Sequence, residues 1–358
     1  MMKGLKNWRF YSLLTVLTVF LSGCGKEELS TLLPAGQVGR DQFNLLLLSS
    51  AIMLFVIAVV VIIYVIALVR FRRSKVGEDF VPEQTEGSHT LEVLWTGIPI
   101  LLVILLAVPM VYYTYKLGDV TAMENVDEDG NAENLVVDVT AKLYWWEFEY
   151  PELGIVTSQE LVVPMDEKVY FNLISTDVKH SFWIPAVGGK LDNNVENVNK
   201  FYLTFEKDSK NLDDGVFYGK CAELCGPSHA LMDFKVKTMP RAEFNGWVAS
   251  MQATADRPTP VETATNEGEA VFAQSCIGCH AISAVGESGA AGPNLASFGD
   301  RNRVAGFMDH TEDELKSWIR DTQYYKPGNK MQSFSEEQIS DGELDALTKY
   351  LMGLTVEK

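Results

Sequence analysis

Two uninterrupted apolar runs decide where much of this chain can go. Residues 45–69 form a stretch of 25 without a charge, and residues 93–115 a stretch of 23. As helices rising about 1.5 Å per residue, both can cross a hydrocarbon core of about 30 Å. Pro99 and Pro109 interrupt the second run, which membrane helices tolerate better than soluble ones. A buried helix of a soluble core is the alternative, and two runs of this length argue against it. Arg70, Arg72, Arg73 and Lys75 crowd the loop between the runs, while Arg40 and Lys116 flank them outside. Basic loops stay in the cytoplasm. The expectation is therefore a helical hairpin in a cell membrane, with everything after residue 116 on the extracytoplasmic face. Charge divides at the same place: 9 Lys or Arg against 8 Asp or Glu up to residue 115, and 21 against 40 beyond it. So acidic a body excludes nucleic acid as the main partner, and 47% hydrophobic residues exclude a wholly disordered chain.

The first residues read as an export signal. Lys3, Lys6 and Arg9 precede an apolar run at 10–21 that is too short to span a bilayer. It ends in Leu21-Ser-Gly-Cys24, which resembles a bacterial lipoprotein box. That implies removal of residues 1–23 and a lipid anchor on Cys24. An ordinary cleavage site followed by a chance cysteine is the alternative.

From residue 135 the texture changes to short β-branched and aromatic runs separated by Gly, Pro, Asn and Asp, the pattern of an all-β sandwich or barrel. The chemistry lies in Cys221-Ala-Glu-Leu-Cys225-Gly-Pro-Ser-His229-Ala-Leu-Met232, with a second imidazole, His180, just after an upstream strand. Thiolate, imidazole and thioether are a soft set that suits copper better than magnesium or calcium. Two thiolates can bridge two copper ions, each completed by one His and one weak ligand. A disulfide between the two cysteines is the bland alternative.

This segment resembles the binuclear copper (CuA) motif of cytochrome c oxidase subunit II, C-x-E-x-C-x-x-x-H-x-x-M, and the resemblance spans about residues 40–240. It implies a cupredoxin-like fold with His180, Cys221, Cys225, His229 and Met232 as copper ligands. It further implies that Glu223 gives its backbone carbonyl to copper and its side chain to a magnesium ion shared with subunit I. Tyr144-Trp-Trp146 resembles the family's aromatic segment, but places Tyr144 where the family has a tryptophan that accepts electrons from cytochrome c. Glu92, at the inner end of the second apolar run, matches a glutamate at the mouth of a proton path into subunit I; a solvated helix end is the alternative reading.

Beyond a polar linker at 251–265 comes Cys276-Ile-Gly-Cys279-His280, the c-haem attachment pattern. Its thiols would carry a covalent haem and His280 would bind the iron, although the five residues alone also fit a redox or zinc motif. Flanking amphipathic segments predict a small all-α domain of class I cytochrome c type at 266–358. Thr311–Glu314 and Ser340–Glu343 read as capping boxes. Met331 is the expected second axial ligand, with Met308, Met352 and His310 as competitors. Gly292-Pro-Asn-Leu295 resembles the loop beside the haem.

The five cysteines then divide without remainder: one anchor, two copper thiolates and two thioethers. The order of parts is signal at 1–23, anchored hairpin at 24–116, copper domain at 117–250, linker and cytochrome domain. It resembles subunit II of the haem-c-containing oxidases of Gram-positive-type bacteria. That implies electron entry from a quinol-cytochrome c reductase or small cytochrome c, and delivery to oxidase subunit I within a complex that reduces oxygen and pumps protons. A copper-bearing subunit of a nitric oxide reductase and a copper-delivery lipoprotein are the alternatives.

Overall fold

The computed structural model describes all residues except 1–7, 9–10, 17, 19–24, 78–79, 131, 259, 261–263, 287–288, 290 and 357–358. The expected anchor at Cys24 lies outside the described residues.

The two apolar runs form helices α1 (Gln37–Arg70) and α2 (His89–Gly118). Both are apolar all round, with their most apolar stretches entirely unburied, as befits helices that face lipid. Each outlasts its apolar run, and the extra length ties the hairpin to the next domain. Lys116 on α2 pairs with the buried Asp41 on α1 at 2.6 Å. The Gly39 amide donates to Val187 O at 2.8 Å. A Cβ on Gly39 would sit 2.8 Å from that oxygen, so only glycine lets the helix approach so closely.

The middle domain comprises β1 (Leu135–Lys142), β2 (Trp145–Tyr150), β3 (Ile155–Ser158), β4 (Glu160–Pro164), β5 (Lys168–Ser175), β6 (His180–Trp183), β7 (Leu191–Asn193), β8 (Asn199–Thr204), β9 (Phe217–Cys221) and β10 (Asp233–Met239). They form two five-stranded sheets, β3-β2-β1-β5-β8 and β4-β10-β9-β6-β7. Alternation sets the inner faces: Val137, Val139 and Ala141 on β1, and Trp146, Phe148 and Tyr150 on β2, are fully buried or nearly so. On the inner face of the second sheet Phe182 stacks on Phe234 at 4.8 Å, and Trp146 of the first sheet meets Phe234 across the core at 5.2 Å. This is the expected cupredoxin-like sandwich.

Helix α3 (Arg241–Gln252) closes that domain with Phe244, Trp247 and Met251 buried at helical spacing. The chain stays packed beyond it. Thr254 is buried, and Arg257 donates to Ile282 O at 2.7 Å and Ala296 O at 2.8 Å. The polar composition of 251–257 thus hides an anchored stretch where a linker is expected.

The C-terminal body holds α4 (Glu267–Ser275), a short hairpin of β11 (Arg303–Val304) and β12 (Met308–Asp309), α5 (Glu312–Arg320) and α6 (Asp341–Met352). Helices α4 and α6 cross at Gly268, where a Cβ would lie 2.3 Å from Ala346 O. The box at Ser340–Glu343 is complete, whereas at Thr311 the hydroxyl accepts from the Glu314 amide at 3.2 Å. This body is docked on the β domain by paired backbone and side-chain groups. Val156 N donates to Ala284 O at 2.8 Å, Asn294 N to Ser158 Oγ at 3.0 Å, and Lys237 Nζ to Asp300 O at 2.9 Å.

Candidate functional site: a soft-donor metal loop beside a haem cavity

Strand pairing assembles the copper candidates. Cys221 ends β9 and Phe182 of β6 lies opposite it, which carries His180 to the same end of the sheet. The loop from Cys225 to Met232 then folds back over both. Cys221 Sγ lies 3.9 Å from Cys225 Sγ, 3.8 Å from His180 Nδ1 and 3.3 Å from Glu223 O. Cys225 Sγ lies 3.6 Å from His229 Nδ1 and 3.9 Å from Met232 Sδ. Each sulfur thus has its own imidazole and one weak donor, and the cysteines are free. Two thiolates, two imidazoles, a thioether and a carbonyl fit a pair of copper ions bridged by sulfur.

The surroundings fix these donors. His180 is fully buried, and its Nε2 meets Asp177 Oδ1 at 2.9 Å, leaving Nδ1 toward the sulfur. Burial works against the Asp177 carboxylate, but hydrogen bonds from His180 and from the amides of Leu143 and Val178 outweigh it and hold the acid below its ordinary value. The hydrogen bond from Cys225 pulls the Cys221 thiol down, and Cys225 in turn is pushed up. Trp146 lies beneath the loop with Nε1 donating to Met232 O at 3.2 Å, a packing role. The Glu223 carboxylate is exposed, 4.0 Å from Lys190.

The second site follows α4. The His280 amide donates to Cys276 O at 3.0 Å, so the attachment residues form one tight turn. His280 Nδ1 pairs with Pro293 O at 2.8 Å, which leaves Nε2 for iron. Burial lowers the His280 pKa and favours the neutral imidazole that ligates. A Cβ on Gly292 would fall 2.6 Å from the His280 ring, which is why glycine opens the segment ending at Leu295. An apolar cavity opens beside this turn, lined by Cys276, Cys279, His280, Phe272, Leu295 and, across it, Met331. Met308 is packed in the core and Met352 lies on α6. His310 is half-buried against Phe298 at 5.1 Å. Of the four axial candidates only Met331 lines the cavity.

Sequence reasoning missed two cations there. Arg301 and Lys326 are buried in the cavity wall, and Arg301 Nε has no partner among the described residues. Burial lowers Arg301 to about 10 and Lys326 to about 7. An orphaned guanidinium nitrogen in an apolar cavity suits the carboxylates of a haem. Leu143, Tyr144 and Trp145 of the β domain complete the wall. Tyr144 is buried, with its hydroxyl against Gly226 of the copper loop. Glu92 stands apart, in the first turn of α2 at the inner end of the hairpin.

A hairpin able to span a membrane, a loop of soft donors and an apolar cavity beside a c-type attachment turn follow one another along the chain. Three family models match in chain order. "Cytochrome C oxidase subunit II, transmembrane domain" matches residues 40–112, and "Cytochrome C oxidase subunit II, periplasmic domain" matches 147–239. "Cytochrome C oxidase, cbb3-type, subunit III" matches 263–351. Cytochrome c oxidase subunit 2 of Bacillus sp. (strain PS3) is 55% identical over 360 residues, covering 100% of both chains. The same subunit of Bacillus subtilis (strain 168) is 51% identical, covering 98% of this chain and 99% of its own. Among solved structures, the periplasmic domain of subunit II of cytochrome oxidase from Bradyrhizobium japonicum matches with 30% identity and a TM-score of 0.30, covering 32% of this chain and 91% of its own. The chain belongs to the cytochrome c oxidase subunit 2 family, as a subunit of such an oxidase. Its two matched extramembrane domains imply CuA copper and c haem.

Proposed function

We propose that this chain is the electron-entry subunit of its oxidase, relaying electrons from its own c haem to CuA and on to subunit I, where oxygen is reduced to water with proton pumping. When bound, the haem and the copper pair supply reversible one-electron chemistry. The observation that carries the relay is the shared wall: Leu143, Tyr144 and Trp145 belong to the copper domain yet line the haem cavity.

The chain's own residues then divide the work. Cys276 and Cys279 would hold the haem covalently, and His280 and Met331 would bind its iron, with Pro293 O orienting His280. Arg301 would balance the haem carboxylates from within the wall. His180, Cys221, Cys225, His229, Met232 and the Glu223 carbonyl would hold copper, with Asp177 fixing the tautomer of His180. Tyr144, between cavity and copper loop, takes the place of the family's tryptophan in a route that here runs inside one chain. The exposed Glu223 carboxylate, whose contact with Lys190 is a long 4.0 Å, would complete a magnesium site with subunit I. Glu92 opens a proton path on the cytoplasmic side, Cys24 carries the lipid anchor, and the domains divide near 116, 250 and 265. The donor is a quinol-cytochrome c reductase or a small basic cytochrome, drawn to the acidic exterior.

The test is copper and haem content of the purified oxidase complex, with electron paramagnetic resonance. The reading requires two coppers per chain, a hyperfine pattern from one electron shared by two nuclei, and haem that survives denaturation on the chain. A mononuclear copper signal, or a Cys221–Cys225 disulfide in the active enzyme, would contradict it.

A further inference from the structure

The loop that bears the copper donors and the loop that bears Met331 touch each other directly. Ser228, between Cys225 and His229, is fully buried, and its hydroxyl donates to Pro327 O at 2.7 Å, across the domain boundary. A buried hydroxyl without a partner is costly, so this bond fixes where Pro327 sits. Gly328 follows in the left-handed region at φ +79°, where a Cβ would lie 3.3 Å from Pro227 Cγ. The Gly328 backbone therefore packs against the Pro227 ring of the copper loop and the Tyr144 ring.

From Pro327 to Met331 the chain is stiff. Asn329 donates to Thr322 O at 2.9 Å and to Lys326 O at 2.7 Å, and accepts from the Met331 amide at 2.8 Å. The Thr322 hydroxyl donates to Met331 O at 2.7 Å. A shift at Pro327 is thus passed to Met331 rather than absorbed between them.

We propose that Ser228 is a positioning residue that makes the copper loop a support for the Met331 loop, so that copper occupancy and methionine ligation of the haem are thermodynamically linked. This rests on the assignment of copper and c haem to the two sites. Metal tethers Cys225 and His229, the two ends of the segment that holds Ser228, and so restricts the loop from which Pro327 is held. Linkage of this kind is reciprocal: what stabilises one loop stabilises the other.

The experiment uses the purified oxidase in detergent, as wild type, Ser228→Ala and Ser228→Thr, each with copper loaded and with copper removed by a chelator. The readout is the methionine–iron charge-transfer band followed against temperature. Removing copper from the wild type is expected to raise the fraction of haem lacking its methionine about tenfold at a given temperature, the size expected for a lost buried hydrogen bond. Ser228→Ala should show the raised fraction with copper present and no further response to its removal. Ser228→Thr, which keeps the hydroxyl, should behave as wild type. A wild-type band indifferent to copper, or a Ser228→Ala variant as copper-sensitive as wild type, overturns the proposal. Should Ser228→Ala fail to assemble, the wild-type and Ser228→Thr pairs decide alone. Through-space charge shifts the haem potential without releasing methionine, so the band separates the two effects. The paired-copper resonance and covalent haem are recorded on the same samples, and their absence marks a failure of the cofactor assignment instead.

Discussion

Replacing Asp177 with Asn tests how much of the copper site depends on a residue that is not itself a ligand. Asp177 Oδ1 meets His180 Nε2 at 2.9 Å and the Val178 amide at 2.8 Å, while Oδ2 accepts from the Leu143 amide at 2.7 Å. All three partners are donors, and a carboxylate can satisfy them all. An amide cannot: whichever way it is turned, its NH2 group faces a donor, either Leu143 N–H or the His180 and Val178 pair. One arrangement unpairs a backbone amide; the other removes the anchor of His180. Loss of such a support to a metal-binding histidine costs about 10–100-fold in metal affinity, or about 1.4–2.8 kcal/mol. The assay is copper competition against a chelator of known affinity, read from the visible bands of the site, with covalent haem as an internal measure of folded protein. Copper affinity unchanged within about threefold would refute the idea that Asp177 holds His180 in its binding tautomer.

Met331→Leu should leave haem covalently attached but abolish the methionine–iron band and lower the haem reduction potential, because thioether ligation favours the reduced iron; Met308→Leu should leave the band in place, and absorption spectroscopy with redox titration distinguishes them. Gly268→Val puts a branched side chain where a Cβ alone would lie 2.3 Å from Ala346 O, so the α4–α6 crossing should open at a cost of about 1–3 kcal/mol or more, seen as a lower melting temperature of the cytochrome domain. Gly292→Ala should displace the His280 ring, which an added Cβ would meet at 2.6 Å, and should appear as a loss of low-spin haem without loss of the thioether bonds.

What could be read in the sequence was what is local in it. The copper loop packs five of its six donors, Glu223 among them, into twelve residues, and the haem turn needs five. The spans were legible because length and lack of charge are themselves the physical requirement. His180 was not local: it sits 41 residues before Cys221, and only the pairing of β6 with β9 unites them. The sequence pointed to it through family resemblance alone. Asp177 carried a faint signal, an acid three residues before a histidine at a strand start. The docking of the two outer domains carried none. Ser158 with Asn294, Lys237 with Asp300 and Ser228 with Pro327 are polar pairs 63–136 residues apart, and no periodicity marks a polar residue as buried against another domain. The same blindness made 251–257 look like linker, since Thr254 and Arg257 read as solvated until Ala284 N and the carbonyls of Ile282 and Ala296 are found beside them.

The proposed relay puts both redox centres on one chain and passes electrons between them. Its most direct test is time-resolved absorbance of the purified oxidase after a single-electron pulse to the c haem. A relay within one chain requires the haem to reoxidise as the near-infrared band of the copper centre bleaches, with one rate that does not depend on enzyme concentration. Haem reoxidation without matching bleaching of copper, or a rate proportional to enzyme concentration, would contradict it.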